Sequence, residues 1–159
     1  MIQIFFDGLC EPRNPGGIAT YAYVIKDPGG SVLESGYGLA AEPFSSMSTN
    51  NVAEYTGLLC ALRRGLEHDR EALVMGDSAL VIKQMKGEYR IRSRKLIPLH
   101  AAARRLMGMY RSIELRWIPR EMNSEADSLT RLAYGLALDG KLKYVDVFEA
   151  CDIKMAKLA

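Results

Sequence analysis

Apolar residues dominate Ile2 to Phe6, and the run ends on Asp7. A short run of β-branched and aromatic residues predicts a buried strand that stops at the acid. Leu9 to Gly17 carries two prolines and two glycines and predicts a loop. Thr20 to Lys26 alternates as a second strand, Asp27-Pro28-Gly29-Gly30 is a turn, and Ser31 to Leu39 returns as a third strand. An antiparallel meander is therefore expected first. From Asn51, the residues Val52, Tyr55, Leu58, Leu59 and Leu62 recur at helical spacing. They predict a helix to about Glu67, capped by Asn50 or Asn51. Ala72 to Met75 is a short apolar strand followed by Gly76-Asp77-Ser78. Helices are expected over Ala79–Met85, Ser93–Tyr110 and Asn123–Tyr134, with Pro98 tolerable only in a first turn. Ile113 to Ile118 alternates as a strand closed by Pro119. Beyond Gly135 the signals weaken, and KYVDVF reads as a short strand or a docking tail.

Strands after the first helix alternate with helices, so they should join the first strand in parallel within a mixed sheet. A chain of 159 residues suffices for one domain with a sizeable core. No apolar run approaches a membrane span, and no secretory leader is expected from the N-terminus. Cys10, Cys60 and Cys151 are odd in number and far apart. That spacing argues against a disulfide framework or a zinc site and fits a cytoplasmic location. Net charge is only +2, but it is uneven: Lys83 to Arg116 holds ten basic residues against two acids, the rest eleven against seventeen. Such a segment suits either a polyanion partner or a solvated helix face.

Four acids sit where a crevice would form. Asp7 and Asp77 each follow an apolar strand, while Glu54 and Asp127 lie in first turns of helices. Parallel neighbouring strands would bring Asp7 and Asp77 to one carboxyl edge, where open α/β sheets place their ligands. Carboxylates gathered there repel unless a cation neutralises them. An all-oxygen donor set suits a hard divalent ion such as Mg2+. Two such ions about 4 Å apart form an arrangement that cleaves phosphodiesters. Any one of these acids taken alone would more simply cap a turn or face solvent.

The chain resembles type 1 ribonuclease H in its short-loop bacterial and archaeal version. The resemblance is carried by Asp7-Gly8 with Asn14 to Gly17, by TNNxxE from Thr49 to Glu54, by GDSALVIKQMKGEYRIRSRKLIPL, and by WIPREMNSEAD ending on Asp127. These motifs come in the family's order from Ile2 to about Tyr134. The resemblance implies a five-stranded mixed sheet of order 3-2-1-4-5 with helices on both faces. It implies a ribonuclease H domain over residues 1–145, with 146–159 as a C-terminal tail. It implies an endonuclease that cuts the RNA strand of RNA–DNA hybrids and leaves 5′-phosphate and 3′-hydroxyl ends. Two Mg2+ ions, with Mn2+ able to substitute, would be held by Asp7, Glu54, Asp77 and Asp127.

By the same resemblance, Gly8, Cys10, Asn14, Asn50 and Asn51 match positions that contact the hybrid, where the 2′-hydroxyl distinguishes RNA from DNA. Thr49 matches a position that holds a DNA phosphate. Asn50 and Asn51 would equally serve as helix caps, and Cys10 as a small buried hydrophobe. Ala79 stands where the family often has glutamine. Lys83, Lys86, Arg90, Arg92, Arg94 and Lys95 offer a phosphate-tracking surface, whereas Arg104 and Arg105 read as solvated helix face and Trp117 as core. Many members carry a histidine before the last helix; this chain has only His68 and His100, both elsewhere. Arg120 is the candidate for that auxiliary catalytic role, although a pairing with Glu121 or Glu125 would also explain it. Double-stranded RNA is left open as a second substrate. A binding module without catalysis is disfavoured by the presence of all four acids. A piece of a reverse transcriptase or integrase fits less well, so a free-standing monomer is expected.

Overall fold

The computed structural model describes residues 1–154. Five strands form one sheet of order β3-β2-β1-β4-β5. They are β1 (Ile2–Glu11), β2 (Ile18–Lys26), β3 (Val32–Leu39), β4 (Glu71–Gly76) and β5 (Ser112–Trp117). β1, β2 and β3 pair antiparallel, whereas β4 pairs parallel with both β1 and β5. The helices are α1 (Asn50–Gly65), α2 (Ala79–Met85), α3 (Ile97–Met107), α4 (Ser124–Leu138) and α5 (Val147–Ala150), with a 3-10 turn over Arg120–Asn123.

β2 shows why helices cover both faces. Ala19, Tyr21, Tyr23 and Ile25 join the main core with α1 residues such as Tyr55, Leu58 and Leu59. On the opposite face, Thr20 donates to the Thr130 carbonyl of α4, and Val24 shares a groove with Leu129 and Leu132. Strand alternation therefore sandwiches β2 between α1 and α4. Ile4, Phe6, Tyr55, Leu58 and Leu59 are fully buried, each stabilising the fold by about 1.5–3 kcal/mol.

Several expectations are corrected. β1 does not stop at Asp7: its antiparallel pairing with β2 continues through Asp7↔Ala22 to Glu11↔Ile18, although its parallel pairing with β4 ends at Phe5↔Met75. The cap of α1 is Thr49, whose Oγ1 accepts from the Val52 amide at 3.0 Å, and not Asn50 or Asn51. α3 is shorter than expected because Ser93 to Leu96 only turns, which leaves Pro98 in the first helical turn. KYVDVF is not a strand: Lys143 to Asp146 has no regular structure and Val147-Phe148 opens the short helix α5, which docks on the core as the expectation of a docking tail had it. Residues 155–159 of that tail lie outside the described residues.

The expectation against disulfides is also overturned. Cys60 of α1 and Cys151 after α5 are paired, with Cα atoms 5.2 Å apart across 91 residues of sequence. The tail folds back beside α1 and buries Val147, Cys151 and Ile153 in the main core. Cys10 alone is a free thiol among the described residues.

Glu34 of β3 ties the sheet to the end of α1. Its carboxylate accepts from Tyr23 Oη at 2.8 Å and Arg64 Nε at 2.7 Å, and lies 2.9 Å from His68 Nε2. Burial pushes its pKa up, but the hydrogen bonds from Arg64, His68 and Tyr23 outweigh that and hold it at about 2. A depressed carboxyl stabilises the fold above its unfolded pKa, and that contribution is lost as pH falls through about 2. With the partly solvated setting discounted, Glu34→Gln should cost about 1 kcal/mol at neutral pH, with the gap to the parent closing near pH 2. Urea melts across that range check this; a gap independent of pH would contradict it.

Candidate active site

Past Phe5, β1 has lost β4 as a partner, so Asp7 faces the space beyond the end of β4. Asp77 follows β4 directly and enters the same space. Glu54 arrives from α1, which packs unusually close to β1. A Cβ on Gly57 would lie 2.8 Å from the Asp7 carbonyl, and one on Gly8 only 2.4 Å from the Glu54 amide. Only glycine permits that approach at both contacts. Asp7, Glu54 and Asp77 thereby present oxygens all within 4.8 Å of one another.

Two of the three acids are buried, Asp7 being 5% exposed and Glu54 4%. Burial first, and then the Asp77 charge, push Asp7 up to about 7, although the Gly8 amide donating at 2.9 Å opposes the shift. Glu54 is raised well above the carboxylate range by burial and by the charges of Asp7 and Asp77. Its Oε2 is buried with no hydrogen-bond partner. A tight oxygen-only cluster with a bare buried oxygen fits a hard divalent cation, which would supply the missing ligand and displace the protons.

Asp127 stands outside this triad. It lines the same cleft of about 350 Å3, but its Oδ2 accepts from Arg131 Nε at 3.3 Å and its Oδ1 lies 4.0 Å from Arg120 Nη2. Arg120 thus pairs with Asp127 and not with Glu121 or Glu125. Gly8, Cys10 and Asn50 line the cleft as well. Asn14 and Thr49 do not, and instead frame it: Asn14 Oδ1 accepts from the Asn50 amide, and Thr49 caps α1. Asn51 is half-buried in the first turn of α1. Cys10 is more than filler, since its Sγ lies 3.1 Å from the Arg13 carbonyl and 3.3 Å from that of Ser48. Lys86, Arg90, Arg92 and Arg94 are exposed. Lys83 lies over the Tyr89 ring, and Lys95 reaches the Ser46 carbonyl. His68 is held by Glu34 and His100 lies against the Gln84 carbonyl, both as satisfied residues.

Two residues beside the triad depart from the sequence expectation. Trp117, expected in the core, is half exposed, and its Nε1 donates to the Asp77 carbonyl at 3.1 Å. Asn123, expected only to open a helix, is buried; its Nδ2 donates to the Phe6 carbonyl at 2.9 Å and to Asp77 Oδ1 at 3.2 Å. It links β1 to the Asp77 carboxylate. Its position four residues before Asp127 was the one available signal.

Residues 5–133 match the family model described as reverse transcriptase-like. The chain is 38% identical over 91 residues to the bifunctional protein Rv2228c of Mycobacterium tuberculosis, covering 57% of this chain and 25% of that protein. It is 30% identical over 133 residues to ribonuclease HI of Halobacterium salinarum, covering 83% of this chain and 63% of the relative. The chain therefore spans about a quarter of the mycobacterial protein's length and under two thirds of the halobacterial one. The solved N-terminal RNase H domain of Rv2228c superposes with a TM-score of 0.79 at 32% identity, covering 87% of this chain and 96% of that one. LC11-RNase H1, solved in complex with an RNA/DNA hybrid, gives 0.76 at 30% identity, covering 87% and 99%. With the family model spanning most of the sheet and the acidic cleft, the chain belongs to the reverse transcriptase-like, RNase H-like family.

Proposed function

We propose that this chain is an endonuclease that hydrolyses the RNA strand of RNA–DNA hybrids with divalent metal ions, leaving 5′-phosphate and 3′-hydroxyl ends. The observation that carries the reading is the convergence of Asp7, Glu54 and Asp77 within 4.8 Å, with Asp127 lining the same cleft. The halobacterial relative is a ribonuclease HI, and the LC11 neighbour was solved on a hybrid. Bound Mg2+, or Mn2+ in its place, would activate water and stabilise the leaving oxygen of an in-line displacement. Asp7, Glu54, Asp77 and Asp127 are the residues that would hold two such ions.

The chain's own residues do the rest. Asn123 fixes the Asp77 carboxylate against β1, and Trp117 fixes the peptide that carries it. We assign contacts with the 2′-hydroxyls of a minor groove to Gly8, Cys10 and Asn50, which line the cleft, with Asn14, which accepts from the Asn50 amide, and Asn51 beside them. Thr49 is assigned a DNA phosphate by the resemblance alone, and the exposed cations from Lys86 to Arg94 suit further phosphates, which makes binding salt-sensitive. Arg120 reaches the cleft as a permanent cation that can hold phosphate but cannot shuttle a proton. Residues 1–145 are the proposed catalytic unit, acting as a monomer. Among the described residues, no helix is long and apolar enough to cross a membrane. The cytoplasmic location inferred from cysteine spacing loses that support from the Cys60–Cys151 pair.

The test is cleavage of four labelled duplexes: RNA–DNA hybrid, RNA–RNA, DNA–DNA, and DNA with one embedded ribonucleotide. Each is run with Mg2+, with EDTA, and with the Asp77→Asn protein. Metal-dependent cuts in the hybrid that vanish in the variant are expected, and cuts in RNA–RNA would widen the substrate class. Tight hybrid binding without cleavage would overturn the enzyme reading. In the same assay Arg120→Ala should lower kcat about tenfold or more while changing KM little. An unchanged kcat would remove Arg120 from the mechanism.

A further inference from the structure

We propose that Arg131 is a positioning residue of the metal site, holding the Asp127 carboxylate outside the Asp7–Glu54–Asp77 cluster and competing with a divalent cation for it. The inference rests on the metal-dependent reading above.

Asp127 has been brought to the right cleft but not into the cluster. Its helix does not hold it away by loose placement. The Asp127 carbonyl accepts from Thr130 Oγ1 at 2.6 Å, and the Thr130 carbonyl accepts from Thr20 Oγ1 of β2 at 2.9 Å. The backbone at Asp127 is thus pinned to the sheet, and the carboxylate's direction is set by its side chain. Two guanidiniums face it: Arg120 stands 4.0 Å from Oδ1, and Arg131, one turn later, is the one within hydrogen-bond distance, at 3.3 Å from Oδ2. An acid four residues before a base is the favoured order for a helical ion pair.

Arg131 also has an alternative partner. Its Nη1 lies 4.0 Å from Glu11 Oε1, at the end of β1. Glu11 lines the same cleft. When a cation draws Asp127 inward, Arg131 can turn to Glu11 without becoming an unpaired cation. A guanidinium beside a ligand carboxylate opposes a divalent ion in two ways. It occupies an oxygen the ion needs, and it repels the ion's charge. Arg131 is 46% exposed, so solvent and salt moderate the repulsion, and the effect is one of tuning.

The experiment titrates Mn2+ into the full chain without nucleic acid, reading free Mn2+ by electron paramagnetic resonance. Arg131→Gln should bind Mn2+ about three- to tenfold more tightly than the parent, and the gain should shrink with added salt. Arg131→Lys should restore affinity close to the parent's. In an Asp127→Asn background, Arg131→Gln should change affinity less than about twofold, because the competition acts through that carboxylate. Hybrid cleavage by Arg131→Gln should reach half its maximum at a correspondingly lower Mg2+ concentration. Unchanged or weaker Mn2+ binding in Arg131→Gln would overturn the proposal. So would a gain that persists without the Asp127 carboxylate, since that marks a general field effect. A parent that cleaves hybrid and binds Mn2+ while Arg131→Gln changes nothing sinks the positioning role alone. A parent that binds no Mn2+ sinks the metal reading with it.

Discussion

Glu54→Gln is expected to abolish hybrid cleavage, by about a thousandfold or more, and at the same time to raise the melting temperature of the metal-free protein. Both effects come from one oxygen cluster. Loss of the carboxylate removes a ligand from the tight Asp7–Glu54–Asp77 set. The same cluster is a liability when no cation is bound. Burial and the Asp77 charge raise Asp7 to about 7, and Glu54 is likewise raised well above the carboxylate range by burial and by Asp7. A carboxyl raised in the folded state stabilises the fold most below its unfolded pKa, and that stability is lost as pH rises through the folded value. The metal-free parent should therefore lose stability between about pH 4 and pH 7, by on the order of 2–4 kcal/mol. A glutamine at position 54 carries no charge, and its amide offers a donor beside the Asp7 carboxylate. It should gain about 1–2 kcal/mol at pH 8 in EDTA, or roughly 3–6 °C in melting temperature. Excess Mg2+ should raise the parent's melting temperature more than the variant's, because the parent binds the ion more tightly. Calorimetry at pH 5 and pH 8, with EDTA or Mg2+, tests the whole set. A variant that melts at the parent's temperature in EDTA at pH 8 would contradict the electrostatic argument even if activity were lost.

Breaking the Cys60–Cys151 pair should cost a large share of the stability. Cys60→Ala with Cys151→Ala removes a link across 91 residues between two buried positions. A closed loop of that size restricts the unfolded chain by about 4.5 kcal/mol in the chain-entropy account. The melting temperature should drop by about 10 °C or more. Reductant should lower the parent to nearly the same value and leave the double variant unmoved. Hybrid cleavage at room temperature should survive, since the acids are placed by β1, the residue after β4 and the starts of α1 and α4 and not by the tail. Thiol titration of the unfolded, unreduced parent should find Cys10 alone. Three reactive thiols, or a melting temperature indifferent to both substitutions, would show that tail packing holds without the link.

Much of the architecture was legible locally. The 2-residue alternation of β2, the helical spacing from Val52 to Leu62 and the short apolar run of β4 each report a side-chain period that the backbone imposes within a few residues. The α2 boundaries, Ala79–Met85, match their expectation for that reason. The meeting of the four acids at one cleft was legible too, since Asp7 and Asp77 follow apolar strand segments and Glu54 and Asp127 open helices at one edge of a mixed sheet. That Asp127 stays outside the tight cluster was not.

What the local pattern could not carry were events between distant segments. β1 runs on through Asp7 because β2 offers it a partner as far as Glu11, and no residue near Asp7 announces that register. Cys60 and Cys151 become partners because the tail turns back onto α1, a contact across 91 positions. Trp117 alternates like a core residue, yet it is half exposed and spends its N–H on the Asp77 carbonyl. Asn123 and Arg131 take their roles from which carboxylate each meets, Asp77 or Asp127. Periodicity sets the face a side chain presents within its own element. Which group it meets there depends on strand register and helix packing, and those are properties of the assembled sheet.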